Sequence, residues 1–279
     1  MLKRDEITPH EDFSVLMSTY YKEKELYLRQ SFDSLFSQTL IPTEIVLVED
    51  GPLPNSLENT VKEYAAKYSQ IKIIRLEQNR GLGYALNIGL QHCTNDIVVR
   101  MDSDDICYPN RFLEQITYLV QHPDVDVVSA WIDEFVNDIS NVLSTRKIPE
   151  TDLEIRKFAK RRNPINHPVA VFRKNAVEEV GGYEPFFLFE DYFLWVKLLS
   201  RGAQFYNIQK SLLYFRQSEE MYNRRGGWDY VKSEVKFQWR LYQIKFLHLN
   251  EAILNILVRT SIRLIPNKMR RCIYQKFLR

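Results

Sequence analysis

The chain has 279 residues, 45% of them hydrophobic and 27% charged, enough to bury a large core in one domain or in a domain with a tail. A formal charge of +2 gives no electrostatic basis for nucleic-acid binding, and three scattered cysteines (Cys93, Cys107, Cys272) with no C-x-x-C pair argue against a disulfide framework and for a reducing compartment. The polar opening MLKRDEITPHEDF lacks the apolar stretch of a secretory signal, and no window is long and apolar enough for a spanning helix, so a soluble or peripheral protein is expected.

Residues 13–17 read as a first strand that ends in the polar-aromatic run 18–21, and 24–38 place Leu28, Phe32, Leu35 and Phe36 at helical spacing. A strand at 44–48 stops at Glu49-Asp50-Gly51-Pro52. A helix near 55–68, a strand at 71–76, a helix at 82–92 and a short strand at 97–99 follow, the last running into Met101-Asp102-Ser103-Asp104-Asp105. Pro109 opens a helix to about Gln121, and 126–131 read as a strand. Beyond it, strands are expected near 134–145, 168–172, 204–208 and 212–216, with helices near 151–160, 174–180 and 190–200. From 229 onward the pattern is helical, with a break at Pro266. Strands apolar on both faces and separated by helices imply a mainly parallel sheet covered on both sides, an α/β fold. Ligands of such sheets bind beyond the carboxyl ends of the strands, where both acidic clusters fall.

Packed carboxylates repel one another unless a cation is shared, and Mg²⁺ or Mn²⁺ joins such groups to phosphates, so an Asp-x-Asp at a strand end suits a metal–diphosphate clamp. The plainer reading is a solvated turn, with Asp105 capping the next helix. Glu49-Asp50-Gly51-Pro52 is either a strand-ending turn or a carboxylate pair for a nucleobase imide or ribose hydroxyl. The stretch from Asn79-Arg80-Gly81 to Asn87-Ile88-Gly89 is not G-x-G-x-x-G. It reads as a glycine turn with close packing at Gly89, or as Arg80 and backbone amides beside a phosphate at a helix start. Glu190-Asp191, between aromatics and at a helix start, can be helix-dipole partners or a general base. His167 reads as a loop histidine that is structural or touches substrate.

Taken in order, the motifs Val15-Leu16-Met17-Ser18-Thr19-Tyr20, Val46-Leu47-Val48-Glu49-Asp50-Gly51, Asn79-Arg80-Gly81 through Gly89, Asp102-Ser103-Asp104-Asp105, Gly181-Gly182-Tyr183 and Glu190-Asp191 resemble the family 2 glycosyltransferases, inverting enzymes of the GT-A fold. The resemblance spans roughly 12–217. The runs 22–25 to 38–39 and 48–52 are most similar to the bacterial exopolysaccharide and O-antigen branch, of the amylovoran type.

The resemblance implies a catalytic domain at 1–217 with a helical, basic extension at 218–279. It also implies that Thr19, Tyr20, Asp50 and Glu49 line the nucleobase and ribose pocket, and that Asn79 and Arg80 lie near the nucleotide. Asp102 would approach the ribose and donor sugar and, with Asp104, the metal; Asp191 would be the base, with Glu190 beside it. The implied substrates are a nucleotide sugar, UDP by likeness, and a lipid-linked oligosaccharide acceptor, with Mn²⁺ or Mg²⁺ as cofactor. The Q-x-x-R-W signature of processive synthases is replaced by Arg224-Arg225-Gly226-Gly227-Trp228, so one sugar per encounter is expected. Where many relatives carry a histidine after Tyr214-Phe215-Arg216, Gln217-Ser218-Glu219 stands, and Arg216 or Arg224 is expected to supply the missing charge.

After Glu251 no acidic residue remains, while Arg259, Arg263, Lys268, Arg270, Arg271, Lys276 and Arg279 carry seven positive charges, leaving the preceding residues net negative. Mixed with Ile253, Leu254, Leu257 and Ile262, they suit an interfacial helix on an anionic membrane, at the inner face of a bacterial plasma membrane; the alternative is a packed cap with a solvated basic face. A sugar nucleotidyltransferase would carry a glycine-rich basic loop where 18–21 stand, and a non-catalytic nucleotide-sugar-binding protein would not need Asp102, Asp104 and Asp191 together.

Overall fold

The computed structural model describes residues 11–218 and 227–264. The apolar runs become strands because alternate residues find cover on both sides. Val15, Met17, Ile45, Leu47, Val99 and Met101 pack into one core, and Leu16, Val46 and Val98 into a second on the opposite face. In chain order the elements are β1 (Phe13–Thr19), α1 (Glu25–Phe36), β2 (Glu44–Glu49), α2 (Asn55–Lys67), β3 (Ile71–Arg75), α3 (Leu82–His92), β4 (Ile97–Asp102), β5 (Ile106–Cys107), α4 (Arg111–Gln121), β6 (Val127–Phe135) and β7 (Ser144–Arg146). Then come α5 (Asp152–Ala159), a 3-10 turn (His167–Val169), β8 (Val171–Arg173), α6 (Lys174–Glu179), α7 (Glu190–Ser200), β9 (Phe205–Arg216), α8 (Trp228–Gln243) and α9 (Leu249–Leu264).

The strands form one sheet in the order β3-β2-β1-β4-β8-β6-β9-β5, with β7 beside β6. From β3 to β4 it is parallel, as expected, and β6 pairs parallel with β9; β8, β7 and β5 enter antiparallel, so the sheet as a whole is mixed. Register places Thr19 opposite Glu49, Glu49 opposite Arg75, and Ser18 opposite Asp102, so three strand ends meet on one edge.

Beyond β6 the structure departs from the periodicity. The expected strand at 134–145 is interrupted: β6 ends at Phe135 and the chain turns before returning as β7. The expected strand at 168–172 begins as a 3-10 turn, because Pro168 has no N–H to give a ladder. The two strands expected at 204–208 and 212–216 are one, β9, whose pairing with β6 slips between Ala130 and Ile132. The helical region after 229 splits into α8 and α9 around Lys245, which takes φ 61°. The break at Pro266 lies outside the described residues.

A third core joins the C-terminal helices to α7. Phe189 stacks on Phe237 at 4.5 Å, and Phe186, Tyr192, Phe193, Tyr230, Leu241 and Leu247 fill in around them. Polar ties fix α9 to α5: Lys160 pairs with Glu251 at 2.9 Å, and Asn255 Nδ2 donates to the Lys160 carbonyl at 2.8 Å.

Helix α3 crosses the sheet closely because Gly89 presents no side chain. A Cβ there would overlap Leu16 Cδ1 and stand 2.8 Å from Val48 Cγ2, both fully buried. Gly89→Ala should therefore destabilise the protein by about 1–2 kcal/mol, overpacking outweighing the gain in helix propensity. Urea unfolding would measure it; a more stable variant would show that the contact yields.

Candidate active site

The acidic loop between β4 and β5 lies at the sheet edge. Asp102, Asp104 and Asp105 each present a carboxylate oxygen within 4.8 Å of the others. At an effective dielectric near 20, two charges at that separation repel by about 3.5 kcal/mol. Burial, then Asp102 and Glu23, push the Asp104 carboxyl up to about 7; Asp105, fully buried, is also held well above the usual carboxylate range. Asp105 does not cap α4. Its Oδ1 accepts from the Arg216 N–H at 2.8 Å, tying β9 to the loop, and its Oδ2 is buried without a partner. Asp102 is half-buried, with Oδ1 2.5 Å from Arg100 Nη2.

The sequence reading missed Glu23 and Arg100. Glu23, in the turn before α1, accepts from Ser103 Oγ at 2.5 Å, and burial raises its pKa. Its only sequence signal is a carboxylate in the loop after the first strand. Arg100 is fully buried inside β4, where an apolar residue would be expected, and its Nε and Nη1 have no partner. A charge in an otherwise apolar strand, two residues before Asp102, was the available clue.

Arg216 sits at the mouth of the acidic loop, its guanidinium 4.0 Å from the Tyr27 ring centre and 4.5 Å from that of Phe135. Its Nε donates to the Asp104 carbonyl at 2.8 Å and its Nη2 to Gln30 at 2.7 Å. The expected charge is thus beside the cluster, built into its wall. Arg224 lies outside the described residues.

At the ends of β1 and β2, Thr19 Oγ1 and Glu49 Oε1 are both buried without a hydrogen-bond partner, while Glu49 Oε2 accepts from Arg75 at 3.0 Å. Tyr20 follows, half-buried. Asp50 points along the edge, its carboxylate accepting from the amides of Arg80 at 2.8 Å and Gly81 at 3.0 Å; Asn79 Nδ2 donates to the Asp50 carbonyl. Asp50 thereby holds the 79–81 loop against β2. The Asn79 and Arg80 side chains are exposed, with Arg80 4.9 Å from the Tyr84 ring centre.

Arg80, Gly81 and Tyr84 share a small cavity of about 110 Å³ with Asn87, Tyr183 and Glu190. Glu190 lies against Gly83, whose missing side chain leaves it room, and burial lifts its carboxyl to about 7. Asp191 accepts from Asn163 Nδ2 at 2.7 Å, a partner on a loop that the sequence reading had considered only for His167. Burial raises the pKa of the Tyr183 hydroxyl, on which Asp191 and Asp102 also act electrostatically. His167 is buried, with Nε2 2.9 Å from that hydroxyl, and burial and Arg100 lower its pKa; it is part of the wall. Gly182 and Tyr183 are set by Asn87, which accepts from the Tyr183 N–H at 2.7 Å and donates to its carbonyl at 2.6 Å.

A family model described as Glycosyl transferase family 2 matches residues 14–181. The chain is 38% identical to the UDP-Gal:alpha-D-GlcNAc-diphosphoundecaprenol beta-1,3-galactosyltransferase of Escherichia coli, over 96% of each chain. It is 41% identical to the amylovoran biosynthesis glycosyltransferase AmsE of Erwinia amylovora, covering 95% of this chain and 98% of that one. Among solved structures it resembles S. aureus TarS 1-349 in complex with UDP-GlcNAc, with a TM-score of 0.63 at 17% identity over 96% of this chain and 71% of that one. It also resembles the mannosyltransferase PcManGT from Pyrobaculum calidifontis in complex with GDP-Man and Mn2+, with a TM-score of 0.64 at 18% identity over 93% and 78%. The fold is that of the GT-A glycosyltransferases. With the family model covering more than half of its length, and full-length relatives that are glycosyltransferases, the chain belongs to glycosyl transferase family 2 and is a glycosyltransferase.

Proposed function

We propose that the protein transfers one sugar from a nucleotide-sugar donor, a UDP-sugar, to a hydroxyl of a lipid-linked oligosaccharide in bacterial surface-polysaccharide synthesis, with inversion and with Mn²⁺ or Mg²⁺. The observation that carries this reading is the cluster of three carboxylate oxygens within 4.8 Å at the strand edge, with one Asp105 oxygen orphaned. Hard oxygen donors so close together fit a divalent cation. Asp104 and Asp102 are the ligands we assign. When bound, the ion would act as a Lewis acid on the leaving diphosphate.

The chain's own groups divide the remaining work. Thr19, Tyr20, Glu49 and Asp50 border the nucleobase and ribose; the orphaned Thr19 Oγ1 and Glu49 Oε1 are the polar atoms left for a ligand there. Asn79 and Arg80 stand beside the nucleotide, Arg80 as a positive charge on an exposed loop. Asp191, oriented by Asn163, takes the proton of the acceptor hydroxyl as its oxygen bonds to the anomeric carbon. The bond to the diphosphate breaks on the opposite face, and the electron pair leaves with it. Glu190 stands next to this base, its own carboxyl lifted to about 7 by burial, and its ionised form adds negative charge beside the reacting hydroxyl.

The relatives supply the finer substrate reading. The E. coli galactosyltransferase is named for UDP-Gal and a diphosphoundecaprenol acceptor, and matches 96% of this chain. Among the described residues no helix is long and apolar enough to cross a membrane. On α9, however, Ile253, Leu254, Leu257 and Val258 are 48–61% exposed, a stripe at helical spacing that supports contact of residues 252–279 with an anionic bilayer. Arg259 does not serve it, since it pairs with the buried Glu234 at 2.9 Å.

Asp104→Asn should lose both Mn²⁺-dependent nucleotide binding and at least about 100-fold in transfer, whereas Asp191→Asn should keep nucleotide binding and lose about 10²–10⁴-fold in kcat. Calorimetry with UDP and Mn²⁺ beside a transfer assay separates the two, and identical phenotypes would refute the division of roles. Because Glu190 ionises only as pH rises through about 7, wild-type kcat/KM should climb between about pH 6 and 8, and Glu190→Gln should flatten that limb. A profile unchanged by the substitution would remove Glu190 from the site. Leu257→Glu should reduce co-sedimentation with anionic phosphatidylglycerol vesicles at least severalfold; undiminished binding would leave α9 as a packed cap.

A further inference from the structure

A second cavity lies away from the acidic edge. It is a groove of about 810 Å³ between the end of α5 and α9. Its walls are apolar, made by Phe158, Leu254 and the methylene stems of basic side chains, and four of those side chains line it: Lys157, Lys160, Arg161 and Arg162. Two carboxylates also line it, and both are already engaged. Glu154 accepts from the Thr151 amide and hydroxyl in a capping box, and Glu251 from Lys160 and the His248 amide. The groove is left with an excess of positive charge beside an apolar floor.

Its position bears on the reaction. Arg161 and Arg162 run directly into Asn163, whose side chain donates to Asp191 at 2.7 Å. With consecutive Cα atoms about 3.8 Å apart, Arg161 and Asn163 cannot be separated by more than about 8 Å of chain. The backbone at the basic end of the groove is therefore continuous with the loop that carries Asn163, and the groove's apolar side lies on α9, where Leu254, Leu257 and Val258 are exposed.

We propose that this groove binds the isoprenoid diphosphate of the acceptor, with Arg161 and Arg162 on the diphosphate and the first isoprene units along Phe158 and Leu254. The occupant is chosen by charge and shape together. A free phosphate would leave the apolar floor uncovered, and an uncharged lipid would leave the net positive charge of the lining unmet. This inference rests on the reading of a lipid-linked acceptor given above, and assigns it a place: the sugar next to the diphosphate reaches Asp191, and the chain runs toward the bilayer.

Titration calorimetry on the full-length protein tests it with farnesyl diphosphate as the probe, against inorganic diphosphate and farnesol. Farnesyl diphosphate should bind at least tenfold more tightly than either fragment. Arg161→Gln and Leu254→Asp, both at exposed side chains, should each weaken it at least fivefold. UDP binding with Mn²⁺, read separately and expected to be unchanged in both variants, keeps a failure of the donor reading apart from a failure of this one. The inference is overturned if the wild-type chain binds farnesyl diphosphate no better than inorganic diphosphate, or if neither substitution weakens it. It is equally overturned if the variants lose only binding to anionic vesicles, which would make the groove a bilayer-facing surface.

Discussion

The constraint on which the site depends is the electrostatic cost of bringing four carboxylates to the end of one strand. Glu23, Asp102, Asp104 and Asp105 share a space with little water, and repulsion at such separations exceeds what an exposed ion pair returns. The chain offsets it from beneath and beside. Arg100 holds Asp102, the Arg216 amide holds Asp105, and the buried Arg111 braces the loop through the Arg100 carbonyl at 2.6 Å. Even so, Asp104 and Asp105 stay above the ordinary carboxylate range. The protein alone leaves the cluster under-compensated, a condition that suits a divalent cation because the ion removes the repulsion between the ionised carboxylates, with an affinity that rises with pH as they lose their protons.

That arrangement explains which parts were legible in the sequence. The first half of the fold was readable because each strand from β1 to β4 is covered on both faces and hence apolar throughout, with helices at clear spacing between. The acidic edge was readable because the polar residues begin where the strands stop. The later strands were obscured by their surroundings: a proline in the 3-10 turn before β8, a slipped register in β9, and a turn between β6 and β7 that carries apolar residues of its own.

The partners of the site were harder to see, since they act across the chain. Nothing near Asp50 in sequence says that its carboxylate is occupied by the amides of Arg80 and Gly81. Nothing near Asp191 points to Asn163, 28 residues earlier. Arg100 could have been suspected from its place in an apolar run, but its purpose appears only when Asp102, Tyr183 and His167 are found around it. Sequence spacing identifies groups that share a loop or a helix face; it does not identify groups that meet across the sheet.

The helix bearing Glu190 and Asp191 shows how the C-terminal region enters the chemistry without reaching it. One side of α7 (Leu194, Trp195, Leu198, Leu199) packs into the core beneath the sheet, and the other (Tyr192, Phe193, Val196) into the aromatic core made with α8 and α9. A helix packed into a core on each of two faces cannot rotate or slide without opening one core or the other. Were α8 and α9 only an appendage, the aromatic side of α7 would face water and the helix would be held from one side. Because Arg259 of α9 bonds the Arg161 carbonyl at 2.8 Å, the same helices also fix the strand of loop that presents Asn163 to Asp191. The position of Asp191 is thus set from both ends, by the packing of α7 and by the polar ties of α9, and if it is the base proposed above, its geometry is inherited from a surface that never touches the acceptor.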